Sequence, residues 1–172
     1  MMRFLGAILV VLSGYYLGQT LAEEGIKRAE ALEELKKGFL LLQGQMEIGG
    51  MDYETMFLEA AFCLQGGASC LFEMAGRLCA KRQAETVQEI WEEALHKAEG
   101  LLYLDGDDWG ALLSFGRSLG FSNHEQQAKQ ASLVVAYLEE AIGRQREKNR
   151  REQKLYRTMG TIGALMVLVV LF

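Results

Sequence analysis

Apolar residues gather at the two ends of the chain and, between them, recur at helical spacing. From Phe4 to Ala22 no residue is charged. At 1.5 Å of rise per residue, FLGAILVVLSGYYLGQTLA can cross a hydrocarbon core of about 30 Å. Tyr15 and Tyr16 suit a headgroup interface, and Gly6, Gly14 and Gly18 permit a second helix to approach closely. From Thr158 to Phe172 the chain is again uncharged, but this run gives only about 22 Å of helix. Leu155 and Tyr156 extend it, with Lys154 and Arg157 snorkelling to the headgroups. The competing readings are a cleaved signal peptide for the first segment and a C-terminal core helix for the second. No turn signal follows Ala22, and almost no polar face follows Thr158, so a membrane segment at each end is the favoured reading, residues 4–22 and 158–172.

Between them, residues 23–157 read as a helical domain. Leu32, Leu35, Phe39, Leu42 and Met46 form an amphipathic stripe, with Glu33, Glu34, Lys36 and Lys37 on the other face. Gly49-Gly50 ends this helix, and Asp52 is placed to cap the next, over 53–64. Gly66-Gly67 breaks the chain and Ser69 is placed to cap a helix running to Ala80. Thr86 starts another, with Ile90, Trp91, Ala94 and Leu95 as its apolar face. Asp105-Gly106-Asp107-Asp108 reads as a turn with carboxylates at a helix N-terminus. Ser122 and Glu125 have capping-box spacing before a last helix striped by Ala128, Ala131, Val135, Leu138 and Ile142. Beyond Ile142 the stripe is replaced by Gln145, Asn149 and Glu152, which predicts a solvated basic stalk over 143–157. The fold class is therefore all-α: an antiparallel bundle of about six helices whose long first and last members continue into the end segments.

Composition supports this picture. The 172 residues contain no proline, so nothing forces a long helix to break, and breaks fall to the 19 glycines. The net charge of −5 conceals an asymmetry, because Arg144, Arg146, Lys148, Arg150, Arg151, Lys154 and Arg157 crowd the approach to the C-terminal segment while the rest is acidic. These cations put the middle domain on the cytoplasmic side and suit membrane lipids with anionic headgroups.

Candidate chemistry is sparse. Cys63, Cys70 and Cys79 lack CxxC spacing and read as buried free thiols in a reducing compartment. His96 and His124 have no nucleophile context, and no phosphate-binding glycine loop is present. The acidic turn lacks the spacing and closing glutamate of a calcium loop. No catalytic residue, metal or cofactor is expected, and the basic tract without interleaved aromatics gives no case for nucleic acid.

The stretch LLSFGRSLG from Leu112 to Gly120 is followed by Phe121-Ser122-Asn123, Gln127 and Leu138-Glu139. With Ile90 to Leu95, Leu5-Gly6-Ala7 and the final LYRTMGTIGALMVLVVLF, these residues resemble the stage III sporulation protein AB family of endospore-forming bacteria. Trp91, Gly116, Leu119, Gly120, Ser122, Gln127 and Gly160 carry the likeness. The chain departs from the family at Asp52-Tyr53-Glu54, where proline is frequent, and at Asn123, where aspartate is. The resemblance implies the helical cytoplasmic domain of type II secretion and type IV pilus platform proteins. It implies a place in the mother-cell membrane, in the complex joining mother cell and forespore. The implied partners are that complex's secretion-type ATPase and its other membrane proteins, and a homo-oligomer is compatible with it. The leading expectation is a non-enzymatic platform that docks the ATPase, with Glu33, Glu47, Asp52 and Glu54 as the candidate docking surface. Alternatives are a tether without ATPase contact and, remotely, a thiol-redox protein using Cys63, Cys70 or Cys79.

Overall fold

The computed structural model describes the backbone of residues 2–171 except 82–85 and 121–122, and the side chains of residues 23–155 apart from those gaps and position 153. The described residues form six α-helices and no strand: α1 (Met2–Ile48), α2 (Tyr53–Phe62), α3 (Gly66–Lys81), α4 (Val87–Ala98), α5 (Gly106–Ser118) and α6 (His124–Leu171), with a 3₁₀ turn at Glu99–Leu101. The chain divides into two compact units, one of Arg28–Gly143 and one pairing Met1–Lys27 with Arg144–Phe172.

In the Arg28–Gly143 unit, helix boundaries follow local chemistry. Gly49 and Gly50 both adopt positive φ, 73° and 84°, which ends α1 in a conformation that side-chain-bearing residues avoid. Asp52 accepts the Thr55 N–H and caps α2. Thr86 with Glu89, and Asp105 with Asp108, close reciprocal capping boxes at α4 and α5. One expected cap is corrected. Helix α3 is already under way at Gly66, and the Ser69 hydroxyl instead donates to the Ala61 carbonyl at the end of α2, 2.9 Å away. At α6 the Asn123 Oδ1 accepts the Glu125 N–H at 2.9 Å; the expected cap, Ser122, lies outside the described residues.

The expected stripe of α1 is buried, and α6 contributes Ala128, Ala131, Leu138 and Ile142, with Val135 half-buried against the core and Val134 buried beside it. Helices α1 and α6 run antiparallel here, since Lys36 meets Glu139 while Glu47, later in α1, shares a groove with Glu125, earlier in α6. At the centre, each of the first five helices supplies one buried ring: Phe39, Phe57, Phe72, Trp91 and Phe115. Trp91 is the hub, with ring centroids of Phe115, Phe57, Phe72 and Phe39 at 5.4, 5.6, 5.7 and 6.0 Å. Edge-to-face and offset pairs of this kind each add about 0.5–1.5 kcal/mol beyond their area burial.

Gly116 makes the hub possible. A Cβ there would stand 2.5 Å from Trp91 Cδ1, and Trp91 is itself fixed by the bond from its Nε1 to the Leu112 carbonyl at 2.9 Å. Gly110, in the same helix, has nothing within 4 Å of its would-be Cβ. The two alanine variants should therefore have opposite signs. Gly110→Ala should gain up to about 1 kcal/mol of helix propensity. Gly116→Ala should lose about 1–3 kcal/mol to overpacking in thermal or denaturant unfolding.

In the other unit, the expectation of a solvated stalk is corrected on one face. Gln145 is buried and donates from Nε2 to Asn149 Oδ1 at 2.8 Å, while Asn149 Nδ2 donates to the Gly25 carbonyl at 3.0 Å. A Cβ on Gly25 would stand 2.5 Å from Asn149 Oδ1, so the two helices meet almost backbone to side-chain amide. The break in the apolar stripe is a polar contact between α1 and α6. Among the described residues no helix is long and apolar enough to cross a membrane. The two apolar segments, 4–22 and 158–172, lie outside the residues whose side chains are described.

Candidate docking surface

The four carboxylates expected to form one surface are divided by the fold. Glu33 is half-buried and lies fourteen residues before Glu47 on α1, about 21 Å away along a helix. Glu47, Asp52 and Glu54 are exposed around the turn joining α1 to α2. Glu47 accepts from Gln43 Nε2 at 3.0 Å and borders a groove of about 510 Å³ between the end of α1 and the start of α6. Glu125 and Lys129 border the same groove from α6. Asp52 has a structural task as well, because both its oxygens are bonded by the Thr55 hydroxyl and one by the Thr55 N–H.

Sequence reasoning missed a polar cluster at the other end of the Arg28–Gly143 unit. Arg28 of α1 pairs with Asp108 of α5, Nε and Nη2 lying 3.2 and 2.8 Å from Asp108 Oδ2, and also with Asp105. Asp108 is fully buried, and its other oxygen accepts the Tyr137 hydroxyl of α6 at 2.8 Å. The Asp105 N–H adds a bond to Oδ2 at 3.0 Å. The acidic turn is thus filled by a guanidinium, and three helices are tied by one carboxylate. Among the described residues, no three of His, Cys, Asp and Glu are grouped to hold a metal. Nothing in the composition marked Arg28 as the partner, eighty residues away; the spacing of Asp105 and Asp108 revealed only the cap.

Two cap carboxyls are held below their ordinary value of 3.8. For Asp52 the Thr55 N–H and hydroxyl are responsible. For Asp105, burial pushes upward, but the Asp108 N–H and the Arg28 charge outweigh it. A depressed folded value adds stability above the unfolded value, and that stability is lost as pH falls through the folded one. Both caps therefore keep this contribution at neutral pH and lose it as pH falls below the ordinary carboxylate value.

The motif residues take structural positions. Trp91 and Gly116 form the hub, and Leu119 caps the C-terminal end of α5. The Leu119 carbonyl accepts the Tyr53 hydroxyl at 3.2 Å, and Gln127 Nε2 donates to the same hydroxyl at 2.8 Å. Gly120 is exposed in the following turn; Gly160 lies outside the described side chains. Arg150, Arg151 and Lys154 are exposed on α6, where Arg151 pairs with Glu147; the Arg157 side chain is likewise outside the described set.

The cysteines are free, but the expectation that they are buried is corrected. Cys63 is exposed because it closes the C-terminal end of α2, and Cys70 and Cys79 are half-buried. Burial, with the charges of Glu54 and Asp52, pushes the Cys79 thiol up to about 11. A thiol held protonated is a poor nucleophile. Iodoacetamide at pH 8 should therefore label Cys63 while sparing Cys79, whose labelling should rise as pH approaches 11; mass spectrometry of digests reads both.

Taken together, the described residues define an all-helical scaffold whose polar side chains cap helices and tie them to one another. The chain belongs to the stage III sporulation protein AB family, whose model matches residues 3–172. It is 22% identical over 171 residues to Stage III sporulation protein AB of Bacillus subtilis (strain 168), covering 99% of each chain. A solved structure of Stage III sporulation protein AB matches with a TM-score of 0.68 at 22% identity, over 72% of this chain and 97% of that one, which shows the common fold.

Proposed function

We propose that the chain is a non-enzymatic platform in the mother-cell membrane, part of the channel complex between mother cell and forespore, and that its acidic helical unit docks the complex's secretion-type ATPase. The observation that carries this reading is the division of charge. Arg28–Gly143 holds nineteen Asp and Glu against nine Lys and Arg, a net −10, while the remaining residues hold nine basic against four acidic, a net +5. Cations beside apolar end segments suit anionic lipid, and an acidic unit suits a cationic protein partner. The continuous helices α1 and α6, both reaching the uncharged ends, support a two-segment anchor. An aromatic core shared by five helices supports a rigid mount.

Because Asp52 caps α2, charge reversal is better placed on Glu47 and Glu54. The Glu47→Lys/Glu54→Lys chain should keep its far-ultraviolet spectrum and lose most of its retention of the ATPase in a pull-down. Unchanged retention would remove this end of the unit from the docking surface. Failure of the parent chain to retain the ATPase at all would favour a tether.

A further inference from the structure

The groove at the open end of the Arg28–Gly143 unit has a chemistry that narrows what fits it. Its floor is apolar, made by the buried Met46 and Ala128, and its lip is Ile48, which is 86% exposed at the last residue of α1. Covering the Ile48 side chain together with the apolar floor would remove more apolar surface from water than the floor alone. Its walls carry Glu47 on α1 and Glu125 on α6, both exposed, with Lys129 one turn further along. Asp52 and Glu54 are exposed just beyond the two glycines that end α1. The groove is open and about 510 Å³, bounded by two helix ends, the setting in which one face of an added helix is read by its apolar anchors and flanking charges. The net −10 of the unit repels anionic lipid surfaces and nucleic acid and attracts a cation-rich protein segment.

We propose that this groove is a docking slot for a cationic amphipathic helix of a partner protein, its apolar face on Met46, Ile48 and Ala128 and its Lys or Arg side chains on Glu47 and Glu125. The proposal deepens the platform reading by naming the segment that would be held, and rests on it for the partner's identity. Its probe is a labelled synthetic peptide of about 18 residues, long enough to hold a helix, with leucines on one face and lysines on the other. The full chain is held in uncharged phosphatidylcholine nanodiscs, and empty discs give the background.

The lysine peptide should bind the chain above background, and its glutamate counterpart should not. Glu47→Lys/Ile48→Ser/Glu125→Lys, all at exposed positions, should weaken binding by about tenfold or more. Glu99→Lys/Asp107→Lys, an equal number of charge reversals elsewhere on the acidic unit, should leave it near the parent value. Binding no better than to empty discs, or equal weakening by both variants, overturns the slot. ATPase retention by the groove variant separates the two readings. Retention that persists while peptide binding is lost overturns the slot as the partner's site and leaves the platform standing. Peptide binding without any ATPase retention by the parent chain leaves the groove and removes the platform.

Discussion

Replacing Asp108 with alanine should lower the stability of the Arg28–Gly143 unit by about 3 kcal/mol or more. Removing one member of a buried charge pair strands the other. Here the Arg28 guanidinium, whose side chain is only 23% exposed, keeps Asp105 but loses its fully buried partner, and the Tyr137 hydroxyl loses its acceptor on Asp108. The Asp105 N–H also loses its acceptor, so one half of the reciprocal α5 capping box is lost while the Asp105 side chain still accepts the N–H of position 108. A change of this size corresponds to a fall in unfolding midpoint of about 10–15 °C for a unit of this length. Asp108→Asn keeps an acceptor for Tyr137 and removes the charge facing Arg28, so it should fall between the parent and alanine. A thermal melt of the full chain in detergent, followed by circular dichroism, measures all three. If Asp108→Ala melted within about 2 °C of the parent, the tie between α1, α5 and α6 would be cosmetic.

Trp91→Ala should have an effect of similar size by a different route. The indole is fully buried, and its ring faces aromatic partners from α1, α2, α3 and α5. Truncation leaves a cavity bounded by four phenylalanines and removes the second hydrogen bond accepted by the Leu112 carbonyl, whose first belongs to the α5 ladder. Losses of about 3–5 kcal/mol are usual for such a deletion. Trp91→Phe retains most of the ring volume and loses the hydrogen bond, so a loss nearer 1 kcal/mol is expected. Denaturant midpoints for the two variants distinguish a packing hub from a single bond. Equal losses would assign the effect to the bond, against the account given of the core.

The contrast between these two sites shows what the sequence could disclose. Helical spacing at Leu32, Leu35, Phe39, Leu42 and Met46 is a local signal, and all five positions are buried. The caps at Asp52 and Thr86 are equally local, since acceptor and donor lie three residues apart. Ser69 misled because a hydroxyl near a helix start can bond backward across the turn as easily as forward. The tie from Arg28 to Asp108 spans eighty residues, and neither residue carries a local mark of the other. The same holds for Gln145 and Asn149. As sequence they interrupt an apolar stripe and suggest solvent, yet their amides are used against Gly25 on a distant part of the chain.

The candidate surface was legible to a lesser degree. Acidic residues around the end of α1 were visible, and Glu47, Asp52 and Glu54 do share that neighbourhood. Glu33 does not, because fourteen residues of helix carry it about 21 Å away. Glu125 and Ile48, which complete the groove with Glu47, come from the start of one long helix and the last residue of another. Only antiparallel packing of α1 and α6 brings them together.

The most direct measurement is co-purification of the tagged full chain from detergent-solubilised membranes of sporulating cells, with the ATPase followed by immunoblot. The platform account predicts that the chain is found in the membrane fraction and brings the ATPase with it. A chain recovered from membranes without the ATPase, or recovered away from membranes altogether, would contradict it.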